Sequence, residues 1–337
     1  MSRPTIKQIA EMSGVSIATV SRFINGTANI SPSTGRKIAE AIQRLNYPLP
    51  ETAVSPIQTS DARSRLILVD IASMSNPCNV PIVQGIRDAA AIHGYHTLVN
   101  VQPINVLTES SLLELISRVP LAGAIFCCML DAPLFSRLYR MLPFVQCCEI
   151  SEGQTQVSTV SINDTAAIRR IMDYLFSIKR DKIALLGVSD RYMYGRHRRQ
   201  GYLEALQAHG VDPDPNWILT VPDSDYDSAY SIVMEMLSHK DIPNAIVAVS
   251  DVLAMAAVHA CQERGLNVPG DIAITGFDNT IHSRSTVPQI TTISQPSYSI
   301  GYAGCELLLE RINNPNSVSQ QLQLETELII RESTMLY

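Results

Sequence analysis

From Arg65 onward, short apolar runs alternate with stretches of helical periodicity, in two successive sets. The first set has apolar runs at 66–72 (LILVDIA), 95–101 (YHTLVNV), 122–128 (AGAIFCC) and 143–148 (PFVQCC), with helices expected near 80–93, 108–118 and 132–141. After Val160 a second set follows: a helix near 164–178, IALLGV (183–188), a helix near 196–209, a strand near 217–221, a helix near 226–238, AIVAVS (245–250), a helix near 252–264 and IAITGF (272–277). Alternation of this kind predicts α/β structure, with parallel sheets and crossover helices. Two sets in tandem predict two similar Rossmann-like subdomains. Ligands in such sheets bind beyond the carboxyl ends of the strands, so a ligand is expected in the cleft between the two subdomains.

The first 64 residues read differently. The formal charge of the 337-residue chain is −6, which on its face argues against a nucleic-acid partner. That figure averages two unlike parts. Residues 1–50 carry six Lys/Arg against two acids, a net +4, and the remaining 20 basic and 30 acidic residues give −10. A basic module is therefore joined to an acidic body. The join at 48–64, PLPETAVSPIQTSDARS, has linker composition. No apolar run approaches the ~18 residues of a membrane span, and MSRPTIKQIAEMSG lacks the apolar core of a signal peptide. With 46% hydrophobic residues the chain can bury a sizeable core.

Within the basic module, Thr5 and Gln8 have capping-box spacing, with Ile6, Ile9 and Ala10 on one helical face. Gly14 suits a tight turn. Ser16 is the next candidate cap, followed by the apolar face Val15, Val20, Phe23 and Ile24, and Ser33 caps a third helix bearing Ile38, Ala41, Ile42 and Leu45. Three short helices with one tight turn predict a helix-turn-helix unit over 1–47. The N-terminal part of its second helix should enter the major groove. Arg22 can fork onto guanine, and Ile17 and Ala18 can touch a thymine methyl. Ser16, Thr19, Ser21 and Asn25 suit phosphate oxygens, and Thr5, at the start of the first helix, joins the DNA-facing set.

TIKQIAEMSGVSIATVSRFING (5–26) and ISPSTGRKIAEAIQRLNY (30–47) resemble the headpiece of the LacI/GalR repressor family, most specifically in GVS-x-x-TVSR-x-x-N. The resemblance continues through SDVLAMAAVHACQERGLNVPGDIAITGFDN (250–279), TVPQITTISQPSYSIGYAGCELLLERI (286–312) and ELIIREST (327–334), closest to the cytidine and purine repressors. It implies a periplasmic-binding-protein-like sensor over 65–337, with subdomain 1 at about 65–162 plus 294–328 and subdomain 2 at about 163–293 plus 329–337. By that likeness Ile17, Ala18 and Arg22 occupy base-reading positions. The family's hinge helix, which wedges a Leu pair into the minor groove, is replaced here by YPLPETAVSPIQ (47–58). Either Pro56 or Ile57 serves as the wedge, or the segment is a plain linker with a weakened hinge.

The same likeness, together with positions at strand ends, places effector-binding residues. Arg198 matches the family's effector arginine, whose guanidinium can fork onto vicinal hydroxyls or a carboxylate. Asp278 matches its hydroxyl-binding acid. Ser250, at a strand end, is the preferred contact over the neighbouring Asp251, which can equally cap a helix. Asn163-Asp164 reverses the family's order, leaving open which side chain faces the cleft. Tyr192 and Tyr194, in the loop after a strand, can stack on a ligand ring or close the cleft rim. Cys78 and Asn79 stand where relatives carry aromatics, and a second aromatic is replaced near Ser224, so neither purine nor cytidine carries over as the ligand.

The adjacent pairs Cys127-Cys128 and Cys147-Cys148 admit a thiol-sensor reading, but small core residues are the commoner use. The seven histidines and seven cysteines form no metal-ligand spacing, and no G-x-G-x-x-G or phosphate loop occurs, so no metal and no cofactor are expected. The expectation is a cytoplasmic, non-membrane, DNA-binding repressor rather than an enzyme. It would act as a homodimer on a near-palindromic double-stranded operator under control of a sugar- or nucleoside-type effector. The alternatives are a regulator that has lost ligand control and a solute-binding protein. With no leucine heptads after the last strand, a coiled-coil tetramer is not expected.

Overall fold

The computed structural model describes residues 5–24, 34, 37, 38, 41, 45, 64–71, 73, 76–105 and 107–335. The chain divides into two compact units, 1–64 and 65–337.

In the first unit, helix Ile6–Ser13 starts at the expected capping box: Thr5 Oγ1 accepts from Gln8 N at 3.4 Å, and Gln8 Oε1 accepts from Thr5 N at 2.8 Å. It ends at Gly14, whose φ of +68° is the left-handed conformation that costs glycine least. The chain then re-enters helix at Ile17–Ile24. Ile9, Ala10, Val20, Ile38 and Ala41 form a small core, with Ile6, Val15 and Leu45 packed around it. The hinge candidates Pro56 and Ile57 lie outside the described residues, as do Asn25 and the side chain of Arg22.

The second unit contains two six-stranded sheets. The first comprises β1 (Leu66–Asp70), β2 (His96–Asn100), β3 (Gly123–Phe126), β4 (Phe144–Cys147), β5 (Thr159–Ile162) and, from far along the chain, β11 (Gln321–Leu324). Their order is β11-β5-β4-β3-β1-β2, and all pairs are parallel. The second comprises β6 (Ile183–Val188), β7 (Ile218–Val221), β8 (Ala245–Ala248), β9 (Ala273–Phe277), β10 (Thr291–Ser294) and β12 (Glu327–Ile329), ordered β12-β10-β9-β8-β6-β7. Only β12 runs antiparallel to its neighbour. Central strands such as β3, β6, β8 and β9 are buried along their whole length, as a parallel sheet covered on both faces requires.

The chain passes between the sheets three times: from β5 into helix Asp164–Ser177, from β10 into helix Ser297–Asn313, and from β11 to β12. The third passage falls at 325–326 rather than 328–329, because β12 already pairs with β10 from residue 327. Helix Ser297–Asn313 packs closely on helix Asn79–Ile92. A side chain at Gly301 would collide with the Ile82 carbonyl, and one at Gly85 with the Tyr298 carbonyl, so the two helices meet backbone to backbone through these glycines.

Candidate functional site

The carboxyl ends of the second sheet gather most of the expected sensor residues around Arg198, which is only 4% exposed. Arg198 sits on helix Met193–Ala208 and donates through Nε to Asp164 Oδ1 at 2.7 Å and through Nη1 to the Val249 carbonyl at 2.6 Å. Asp278 Oδ1 lies 3.8 Å from Nη1. The guanidinium lies over two rings, 3.4 Å from the Phe277 centroid and 4.8 Å from that of Tyr194. Planarity and delocalised charge suit arginine, and not lysine, to such a slot.

Asp278 caps the carboxyl end of β9 with φ +103°, a backbone region that non-glycine residues rarely adopt and that concentrates at functional sites. Gln295 Nε2 donates to its Oδ1 at 2.9 Å. Burial pushes the Asp278 carboxyl well above the usual carboxylate range, while Arg198 pulls it back.

The Asn163/Asp164 ambiguity resolves by division of labour. Asn163 Oδ1 accepts from Ala166 N at 2.9 Å and caps its helix, while Asp164 turns inward to Arg198. Ser250 caps helix Asp251–Glu263, accepting from Leu253 N at 3.4 Å, and receives the Ser224 hydroxyl at 3.3 Å. Asp251 points into the scaffold: Oδ2 accepts from Thr280 N at 2.6 Å and Oδ1 from Thr292 Oγ1 at 2.7 Å. Tyr194 is half-buried in the cluster. Tyr192 stacks on it at 5.4 Å but sends its hydroxyl outward to Asp223 and Arg191, so it belongs to the rim. From the first subdomain, Cys78 is half-buried and close enough to Asp278 and Arg198 to feel both charges. Asn79 donates to the Ser73 carbonyl at 2.6 Å and accepts from Cys78 Sγ at 3.8 Å.

Three contributors carried no readable signal: Phe277, Gln295 and, above all, Glu149. Glu149 follows β4 in the first subdomain and is 7% exposed. Its Oε2 accepts from Met193 N and its Oε1 from Tyr194 N, both at 2.9 Å. One carboxylate thus crosses between subdomains to cap the first turn of the helix that carries Arg198, where the helix dipole favours negative charge. Burial raises the Glu149 carboxyl above its ordinary range against the pull of the two N–H bonds. This cap explains why the helix begins at Met193 rather than near 196: Tyr192 supplies no side-chain cap. A second link across the joint pairs Arg196 Nη2 with Glu152 Oε1 at 2.5 Å.

The cysteines do not support a reactive sensor. All seven are free thiols. Burial raises Cys78, Cys128 and Cys148 well above the ordinary thiol range, and the hydrogen bond with Cys147, with burial, does the same for Cys127, which disfavours the reactive thiolate. Among the described residues, no group of three or more His, Cys, Asp or Glu is placed to hold a metal.

Cys128 instead donates to a buried acid, Asp70, at the end of β1. Asp70 Oδ1 takes Cys128 Sγ at 3.3 Å and Oδ2 takes Asn100 Nδ2 at 2.6 Å. Burial lifts its carboxyl from 3.8 to about 6. A raised folded-state value means the stability contribution is full below pH 3.8 and is lost as pH rises through about 6. Asp70→Asn should therefore flatten the stability profile over that window, by at most on the order of 3 kcal/mol. Urea unfolding at several pH values checks this, and parallel profiles for parent and variant would refute it.

On the headpiece, Ser16 and Ala18 are exposed and Ile17 is 51% exposed, so the expected groove-facing positions are open. Ser16 Oγ also accepts from Thr19 N at 3.1 Å and lies 2.8 Å from Thr19 Oγ1, so this pair starts the second helix as well as facing outward. Ser21 is half-buried.

Comparison with known proteins agrees with both units. Residues 5–48 match the bacterial regulatory proteins of the lacI family, and 172–334 match the periplasmic binding protein-like domain. Catabolite control protein A of Priestia megaterium is 30% identical over 333 residues, covering 98% of this chain and 99% of the relative. The lac repressor dimer bound to operator and the anti-inducer ONPF superposes with a TM-score of 0.80 at 25% identity, covering 99% and 100% of the two chains. The transcriptional regulator CelR in complex with cellobiose superposes with a TM-score of 0.73 at 26% identity, covering 98% and 100%. No described helix is long and apolar enough to cross a membrane. The chain belongs to the LacI family, as a DNA-binding transcription regulator with an effector-binding sensor and not an enzyme.

Proposed function

We propose that the chain is a cytoplasmic, homodimeric repressor whose two headpieces read the half-sites of a near-palindromic operator. A neutral sugar or nucleoside, held between the subdomains, would set its DNA affinity. The observation that carries the effector reading is the buried Arg198 between Asp164 and Asp278 at the strand ends. A guanidinium fork beside carboxylates and the Ser224–Ser250 hydroxyl pair offers donors and acceptors for vicinal hydroxyls. Ligand in the cleft would favour one arrangement of the subdomains, and the linkers that leave the first subdomain would carry that choice to headpiece spacing. The test is operator affinity with and without sugars and nucleosides that raise the melting temperature. A compound that stabilises the protein yet leaves operator affinity unchanged would sink the coupling.

A second reading is favoured by the same cluster. Arg198 is already bonded to Asp164 and to the Val249 carbonyl, so the slot is complete without an added molecule. A regulator without ligand control would show no stabilisation by any sugar or nucleoside.

Arg22 lies in helix Ile17–Ile24 and is proposed to read guanine. Arg22→Ala should cost about 1–3 kcal/mol per half-site on the operator and much less on random DNA. Equal losses on both would exclude base reading.

A further inference from the structure

A second cavity, of about 350 Å3, lies at the joint between the subdomains, on the outer side of the Glu149 cap. The loop after β4 and strand β11 wall it from the first subdomain; the passage Asn163–Thr165 and the first turns of helix Met193–Ala208 wall it from the second. Its floor is a polar ladder. Thr159 pairs in register with Gln321, and Ser161 with Gln323. The first rung is closed: the Thr159 hydroxyl bonds to the Gln321 carboxamide, whose Nε2 donates to the Val157 carbonyl at 3.0 Å. The second rung faces solvent. Gln323 is exposed and Ser161, Gln154 and His197 are half-buried, and among the described residues no side-chain hydrogen bond is made by any of the four.

The charge of the cavity narrows what it can hold. Its two carboxylates are engaged, Glu152 with Arg196 and Asp164 with Arg198, and no Lys or Arg lines it. A phosphate or carboxylate would find no compensating cation, whereas hydroxyls would find amide, hydroxyl and imidazole partners from both subdomains. The volume is in the range of small-ligand pockets. We propose that this joint cavity is a second small-molecule site, adjoining the Arg198 cleft through Asp164, that takes a neutral polyol or monosaccharide. A molecule bound there touches both subdomains and the edge of the Glu149 cap, so it stabilises the arrangement in which the two walls face each other.

The test uses the full chain and four probes: D-ribose, D-glucose, D-glucitol and myo-inositol. Binding is followed by calorimetry and by the ring resonances of 13C-labelled histidine, with His197 assigned through His197→Gln. For at least one probe the His197 resonance should shift on titration. Gln323→Ala combined with His197→Ala should weaken binding about tenfold or more, and Ser250→Ala in the inner cleft should change it less than about threefold. The proposal is overturned if none of the four binds by about 20 mM, if the Gln323/His197 variant binds like the parent, or if Ser250→Ala removes the signal. The last result would assign the binding to the inner cleft and leave the effector reading intact.

Discussion

Replacing Arg198 by Met should destabilise the sensor by about 3–5 kcal/mol, the usual cost of removing one partner from a buried ion pair. Met fills much of the space of the arginine stem but leaves Asp164 and Asp278, both nearly inaccessible, without the cation that faces them. Two consequences separate this cause from simple loss of packing. Adding Asp164→Asn to Arg198→Met removes one of the stranded charges and should recover at least half of the loss. Lowering the pH should also reduce the loss, because Asp278 already titrates above the ordinary range and takes up a proton readily once Arg198 is gone. Arg198→Lys keeps the charge but neither the fork nor the planar stack on Phe277, and should fall between parent and Met. Urea unfolding of the four proteins at pH 5.5 and 7.5 checks the set. An Arg198→Met protein within about 1 kcal/mol of the parent at pH 7.5 would show that the ion cluster is not what holds this site together.

The parts of this structure that were legible in the sequence are those whose physics is local. A parallel strand covered on both faces must be apolar throughout, so β6 is visible as IALLGV and matches 183–188 residue for residue. Thr5 and Gln8 announce a helix start because the cap is closed within four residues. Edge elements were harder to see. β11, QLQL, alternates exposed and half-buried positions and reads as loop until its pairing with β5 is known. The site divides the same way. Arg198 and Asp278 could be placed because each sits in a recognisable segment, and so was the pair Asn163-Asp164, though not which of the two turns inward. That choice depends on where the helix cap falls, and the cap takes Asn163. Glu149 could not be placed at all, since it acts 44 and 45 residues away along the chain, across the joint between two sheets.

That long-range contact leads to the second large effect. Glu149→Ala would strip the acceptor from one buried and one part-buried N–H group at the start of helix Met193–Ala208 and remove the carboxylate that ties it to the first subdomain. Losing charge-assisted hydrogen bonds of this kind costs about 1.5–3 kcal/mol each. The amides of Met193 and Tyr194 should then exchange with solvent about 30-fold faster or more, while those of the β6 core remain protected. Glu149→Gln retains one acceptor and brings a competing NH2 group, so it should give a smaller increase. Because the same helix carries Arg198 to the proposed effector cleft, freeing its first turn should lower the fraction of molecules with the two subdomains in register. Apparent effector affinity should fall by that same fraction. The two readouts are tied by a single equilibrium. If amide exchange at 193 and 194 is unchanged in Glu149→Ala, the carboxylate does not hold the joint. If exchange accelerates and effector affinity does not fall, the cap stabilises the helix without controlling the cleft.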